Sequence, residues 1–416
     1  MQFGAIGLSI KMNIFTMCCC FVFGINYLLL YAAFTHSDIG KSISIISFVD
    51  GIGGIITLII LLILSYLPCA KINYKIFGIF TLATNFILTS ICTVSSSINM
   101  LSPIINKTYL YLIVEIFNSS LPPSNFFVFF NLSYSLSSQH TTFYITGCSF
   151  GTFLACILGY AEISEFVAFS IVTLFSLVGL ILVIILFIFT PQIYDFLKCQ
   201  ERILYQEEYI GLDDPLPKYN VVRIFKTTIK EMRHSLITIF CCYYIAIYLV
   251  PRFINPVQRY FNCYNDNMDY DENNYYYQLI QLVGLLYYAG DVIGRFVEIF
   301  AKPHIKVVLI SSVINVLIAT ITILPVYFCT AGNISHATIA EKVMLGYAPL
   351  LGLVNGFIVS CAIEYSISQV EPRLAVALVL LFLYLGIFAG DISQLLTSGL
   401  DLYLSSSQKD CSPTFV

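Results

Sequence analysis

From Asn13 to Phe34 the chain carries no charged side chain, and comparable apolar runs recur along the whole of its 416 residues. About 20 apolar residues wound as a helix cross the hydrocarbon of a bilayer. Lipid offers backbone N–H and C=O groups no water, so such runs must close their hydrogen bonds within themselves as helices. The short alternating segments of a membrane barrel are absent. Composition agrees: 58% of residues are apolar and 11% charged, against about 25% charged in a soluble domain. The expected fold class is an all-α polytopic membrane protein.

Eleven spans can be drawn, at about 13–34, 43–67, 74–94, 109–130, 141–161, 166–190, 235–256, 277–300, 305–328, 341–363 and 374–400. Glu115, Asn118, Pro122 and Pro123 interrupt the fourth. The long polar segment 191–234 divides six spans from five, giving an N-terminal six-helix bundle (1–190), a cytoplasmic loop and a C-terminal five-helix bundle (235–416). That loop is too short for a catalytic domain. Lys11 precedes a first run too long for a signal-peptide core and lacking a small-residue cleavage site, so that run reads as the first membrane helix.

The 20 lysines and arginines set the orientation. With the N-terminus in the cytoplasm, thirteen fall inside, six outside and one, Arg295, within the membrane. The bias predicts a cytoplasmic N-terminus and an outside or lumenal C-terminus. Glycosylation sequons at Asn106 and Asn333 then lie outside. A plasma-membrane location is the expectation. The net charge of −4 points to no nucleic-acid partner.

Fourteen cysteines form no paired Cys-x-x-Cys grammar, and Cys18, Cys19, Cys20, Cys241 and Cys242 read as small apolar fillers. Neither a metal nor a cofactor is expected. Zincin, nucleophile-elbow and phosphate-loop motifs are absent, which argues against an enzyme. Glycine pairs four residues apart (Gly147 and Gly151, Gly290 and Gly294, Gly352 and Gly356, Gly386 and Gly390) predict closely packed helices.

Ionisable residues inside spans cost several kcal/mol and mark sites or pathways. Asp291 and Arg295, four apart in the eighth span, share a helical face with the acid on the favourable side. The pair either binds solute, offering donors and acceptors to a hydroxyl-rich neutral ligand, or pins neighbouring helices. Asp50 in span two and Asp391 in span eleven could line a cavity or relay a proton. Glu115 reads as interfacial, and Glu298 and Glu364 as solvated near the cytoplasmic boundary. For Asn26 in span one and Asn355 in span ten, a helix–helix hydrogen bond and ligand binding explain the residue equally well. In span ten, Pro349, Gly352 and Gly356 predict a kink or unwound break of the kind at which transporters bend.

Asp291-Val292-Ile293-Gly294-Arg295 resembles the eighth-helix signature of the equilibrative nucleoside transporter family. Asn355-Gly356 is similar to the Asn-Gly of that family's tenth helix, Thr146 to Gly151 to its glycine-rich fifth, and Val250-Pro251 to the proline closing its seventh. The resemblance implies a six-plus-five pseudo-symmetric bundle like the major-facilitator architecture. It implies a nucleoside or nucleobase moved by facilitative alternating access, held between the bundles with Asp291 and Arg295 on the ribose. Asn125 stands near the family's fourth-helix glutamine, and Tyr288 where some members bind through asparagine. The chain departs from the family in having no tryptophan; Asn26-Tyr27-Leu28-Leu29 occupies the region where helix one usually carries it. The alternatives are a proton-coupled transporter of another small organic solute, using Asp50, Asp291 or Asp391, and a non-transporting membrane protein on the same scaffold.

Overall fold

The computed structural model describes residues 10–27, 29–30, 43–66, 73–97, 107–161, 163–189, 221–249, 270–329, 334–370 and 372–407. Asn106, Asn333, Val250-Pro251 and most of the 191–234 loop lie outside them. The described chain is helical throughout: α1 (Ile10–Ile25), α2 (Ile43–Tyr66), α3 (Tyr74–Ser97), α4 (Lys107–Asn118), α5 (Leu121–Leu136), α6 (Ser138–Tyr160), α7 (Glu165–Phe189), α8 (Val221–Tyr244) with a π-helical end (Ile245–Leu249), α9 (Tyr270–Val297), α10 (Ile305–Cys329), α11 (Ile334–Gln369) and α12 (Pro372–Ser407). Each expected span has its helix, the fourth being divided between α4 and α5. Among the described residues four helices are long and apolar enough to cross a membrane: α3, α6, α7 and the Leu345–Ser368 part of α11.

The division of span four follows from Pro122 and Pro123. Proline has no N–H to give an upstream carbonyl, so it opens a helix more readily than it continues one. Here both sit in the first turn of α5 behind the Ser120 cap. The chain turns at Ser119, into which α2 presses Gly53, where a side chain would collide with the Ser119 hydroxyl. Beyond the turn α5 is buried almost all round, with Phe126, Phe127, Phe129 and Phe130 shielded completely. A helix apolar on every face belongs inside a bundle. Phe129 stacks on Phe23 of α1 at 4.5 Å, and Phe126 on Phe130 at 4.8 Å between ring centroids.

The packing repeats across the chain. Within the first six spans, α1 lies on α6, α2 on α4 and α5, and α3 on α7. Within the last five, α8 lies on α12 and α9 on α11, while α10 leans on α11 and α8. The two groups meet where α6 packs on α9, and where α12 packs on α2 and α5. The outer faces of α7 and α10 expose Leu174, Ile181, Ile188, Ile310, Ile314 and Leu317, the apolar surface that lipid covers.

Glycine makes these contacts close. A side-chain carbon at Gly147 would fall on the Phe21 carbonyl, and one at Gly151 on that of Ile25, so α6 runs backbone to backbone along α1. The α9–α11 contact is reciprocal: Gly290 and Gly294 receive the carbonyls of Pro349 and Leu353, and Gly352 and Gly356 those of Tyr287 and Asp291. Lipid gives apolar helices no reason to associate, so such close approach, with its dispersion contacts, supplies the attraction.

Of the two forms expected at Pro349, Gly352 and Gly356, the unwound one is not adopted: α11 is helical from Ile334 to Gln369 with Pro349 inside it, which leaves a kink as the form a break there would take. Its glycines are filled by the α9 backbone. The irregular segments lie elsewhere: a turn at Asn26 and Tyr27 ending α1, the break at Ser119, and the π-helical end of α8.

Candidate functional site

The α9 helix carries its polar residues on one face. Tyr287, Asp291, Arg295 and Glu298 follow at three- and four-residue steps, which stacks them along the side that meets α6 and α11. Asp291 is 4% exposed and Arg295 7%. Arg295 Nε donates to Asp291 Oδ2 at 2.9 Å, and its Nη1 donates to the Ile145 carbonyl of α6 at 3.0 Å. The Ser149 hydroxyl, one turn further along α6, donates to the same Asp291 oxygen. The pair is therefore tied to a helix from the other group of spans through both members. A guanidinium suits this place because its planar fork reaches two acceptors in different directions.

One turn from Asp291, the Tyr287 hydroxyl accepts a 2.9 Å hydrogen bond from Asn355 Nδ2 of α11. The Asn355 Oδ1 atom is buried and has no hydrogen-bond partner. Tyr288 stacks edge-on against Tyr287 at 5.1 Å. Towards α1 and α12 a group of tyrosines gathers: Tyr27 is buried with its hydroxyl unpartnered, and Tyr144, Tyr243 and Tyr384 stand around it. Tyr144 donates to Asn125 Oδ1 at 2.9 Å, and Tyr243 lies beside Arg295. This region joins α1, α5 and α6 to α8, α9 and α12. It combines aromatic faces with hydroxyl, amide, carboxylate and guanidinium groups.

Three candidates are placed differently. Asn26 donates to the carbonyls of Val22 and Phe175 and accepts from Asn85, so every polar atom of its side chain is engaged in joining α1 to α3 and α7. That arrangement favours the helix–helix role over ligand contact. Asp50 in α2 and Asp391 in α12 have helical backbones, and their side chains lie outside the described residues.

The carboxylates expected at the boundary need correcting. Glu115 is 1% exposed and accepts from Asn118 Nδ2, so it is enclosed by protein rather than open to water. Glu298 is 2% exposed and accepts from the Thr142 hydroxyl of α6 at 2.9 Å, whereas Glu364 is partly open and paired with Lys302. Distance along the chain gave the depth of Glu298, but α6 and α11 close over it from the side.

Sequence reasoning missed Ser149 and Thr142 as partners, although Ser149 falls within the Thr146 to Gly151 segment already picked out. Both are ordinary helix hydroxyls until α9 is laid against α6. Tyr27 falls in the Asn26 to Leu29 segment already picked out, but Tyr144 and Tyr243 gave no signal, because a tyrosine among 29 is unmarked.

No protein-family model matches the chain, and neither does any curated protein. Among solved structures it is similar to the human organic anion transporter MFSD10 (TETRAN), with a TM-score of 0.33 at 12% identity over 90% of this chain and 99% of that one. It is also similar to FucP, a major facilitator superfamily transporter in the outward conformation, with a TM-score of 0.41 at 14% identity over 92% and 98%. Superpositions this loose assign neither a fold family nor a substrate.

Proposed function

We propose that the chain is a membrane transporter that carries a small neutral solute, a nucleoside or nucleobase, by facilitative alternating access. The solute is held between the first six spans and the last five. The observation that carries this reading is the Asp291–Arg295 pair, buried on α9 and bonded to Ile145 and Ser149 of α6. If α6 and α9 part to open a route, Arg295 loses an acceptor and Asp291 a donor. A ribose or similar polyol supplies both. Arg295 then donates to one solute hydroxyl while Asp291 accepts from another and orients the guanidinium. Tyr288, Asn125 and Asn355 line the same space.

A second reading, transport coupled to protons, is favoured by the enclosure of Glu298, an ionisable group inside the same helix contact. Uptake of radiolabelled adenosine, hypoxanthine and uridine into proteoliposomes, with and without a pH gradient, separates the two. Facilitation gives uptake that needs no gradient; coupling gives uptake that the gradient drives. The double variant Asp291→Asn with Arg295→Gln removes both charges and tests the site itself. It is expected to insert and fold yet transport nothing, whereas recovered uptake would show that the pair only holds helices together.

A further inference from the structure

At the end of the α6–α9 contact nearest α10, a second set of groups spans the same helices, and the Asp291–Arg295 site does not use it. Glu298, the residue after the last of α9, is 2% exposed. Its Oε2 accepts from Thr142 of α6 at 2.9 Å, while its Oε1 is buried with no hydrogen-bond partner. The carboxyl lies beside that of Glu364 of α11. Glu364 accepts from Lys302 Nζ at 2.5 Å and from Ser138 at the start of α6. Cys361 of α11 and Tyr134 of α5 complete the surroundings. Lys302 is the one cation among these neighbours, and its side chain is 57% exposed.

Two carboxylates in contact cannot both stay ionised cheaply, and a shared proton between them removes the repulsion. Lys302 serves only the Glu364 side, and the Thr142 hydroxyl occupies only one oxygen of Glu298. The other oxygen is buried with no donor, and a proton held between the adjacent carboxyls would supply a hydrogen bond. We propose that Glu298 and Glu364 form a proton-binding site. A proton taken from water on the open Glu364–Lys302 side bridges the two carboxyls and closes α9 on α11. Its loss to water by the same path leaves two repelling carboxylates under the Thr142 contact. Occupancy thus controls how firmly α6, α9 and α11 hold together at this end, and, if the chain transports by alternating access as proposed above, it sets the pH dependence of that cycle. The acid–base chemistry belongs to the pair and not to either residue alone.

The test reads the proton directly and needs no solute. Infrared difference spectra of the purified protein in lipid, titrated with pH, are expected to show a protonated carboxyl C=O band that disappears as pH rises. Glu298→Gln and Glu364→Gln should each abolish it, and Glu115→Gln should leave it in place. A band that survives unchanged in both pair variants overturns the site. Should those variants misfold, Thr142→Val keeps both carboxyls and removes a donor that favours the ionised form. Its titration should move to higher pH by roughly half to one unit, and an unmoved titration also overturns the proposal. Uptake at equal pH on both sides should lose its pH dependence in Glu298→Gln. If the band behaves as expected but no solute is carried by any form, the transport reading fails and the proton site stands.

Discussion

Two polar networks thread this bundle, and they are built differently. The first joins α1, α3 and α7: Asn85 donates to Asn26 and to Ser176, Asn26 donates to Val22 and Phe175, and Ser176 donates to Val172. It lies wholly within the first six spans, and none of its fully buried side-chain polar atoms lacks a hydrogen-bond partner. The second runs down α9 through Tyr287, Asp291, Arg295 and Glu298, crosses to α6 and α11, and leaves Asn355 Oδ1 and Glu298 Oε1 buried without partners. An unmatched buried polar atom costs about 1–3 kcal/mol. A closed network inside one group of helices rigidifies it. An open network across two groups is unfavourable to keep unless something else binds there during the working cycle.

The strongest way to break this contrast is to part α9 from α11. Gly356→Leu places a side chain on the Asp291 backbone carbonyl, where nothing flexible can yield. Size-exclusion profiles should show loss of folded protein, and a normal profile would mean that the helix contact is looser than described. Next comes Arg295→Lys, which keeps the charge and loses the two-way fork. Losing one charge-assisted hydrogen bond costs about 1.5–3 kcal/mol, so uptake should fall by roughly 10- to 150-fold at equal surface expression. Uptake within about threefold of wild type would remove Arg295 from the site.

Asp291→Asn is gentler, since it keeps the shape and one acceptor for Ser149. A loss of roughly 5- to 150-fold in apparent affinity, measured by concentration dependence of uptake, is expected. The smallest effect belongs to the closed network. Asn85→Leu removes two hydrogen bonds far along the sequence from α9, and bonds between membrane helices are worth about 0.6 kcal/mol each on average. The variant should melt a few degrees lower while its uptake KM stays unchanged. A shifted KM would show that the first network also touches solute, and the contrast would collapse.

The sequence by itself determined the class of molecule, because long uncharged runs have one stable form in lipid. It determined the division of the chain into eleven spans, the close helix contacts at the glycine pairs, and the prominence of Asp291 and Arg295, because a charge in hydrocarbon is costly enough to be visible without a structure. Tertiary packing decided the rest. Pro349 with Gly352 and Gly356 has the composition of an unwound helix, yet α9 occupies those glycines and α11 stays helical; the irregular segments fall at Asn26, Ser119 and Ile245 instead. Glu298 looks solvated from its place near the end of a span, yet α6 and α11 cover it. In each case the local signal describes what a residue permits, while the neighbouring helix, brought in from 60 to 160 positions away along the chain, decides whether that freedom is used. Thr142 and the Ile145 carbonyl carry no mark in the sequence because their importance is wholly a matter of what faces them.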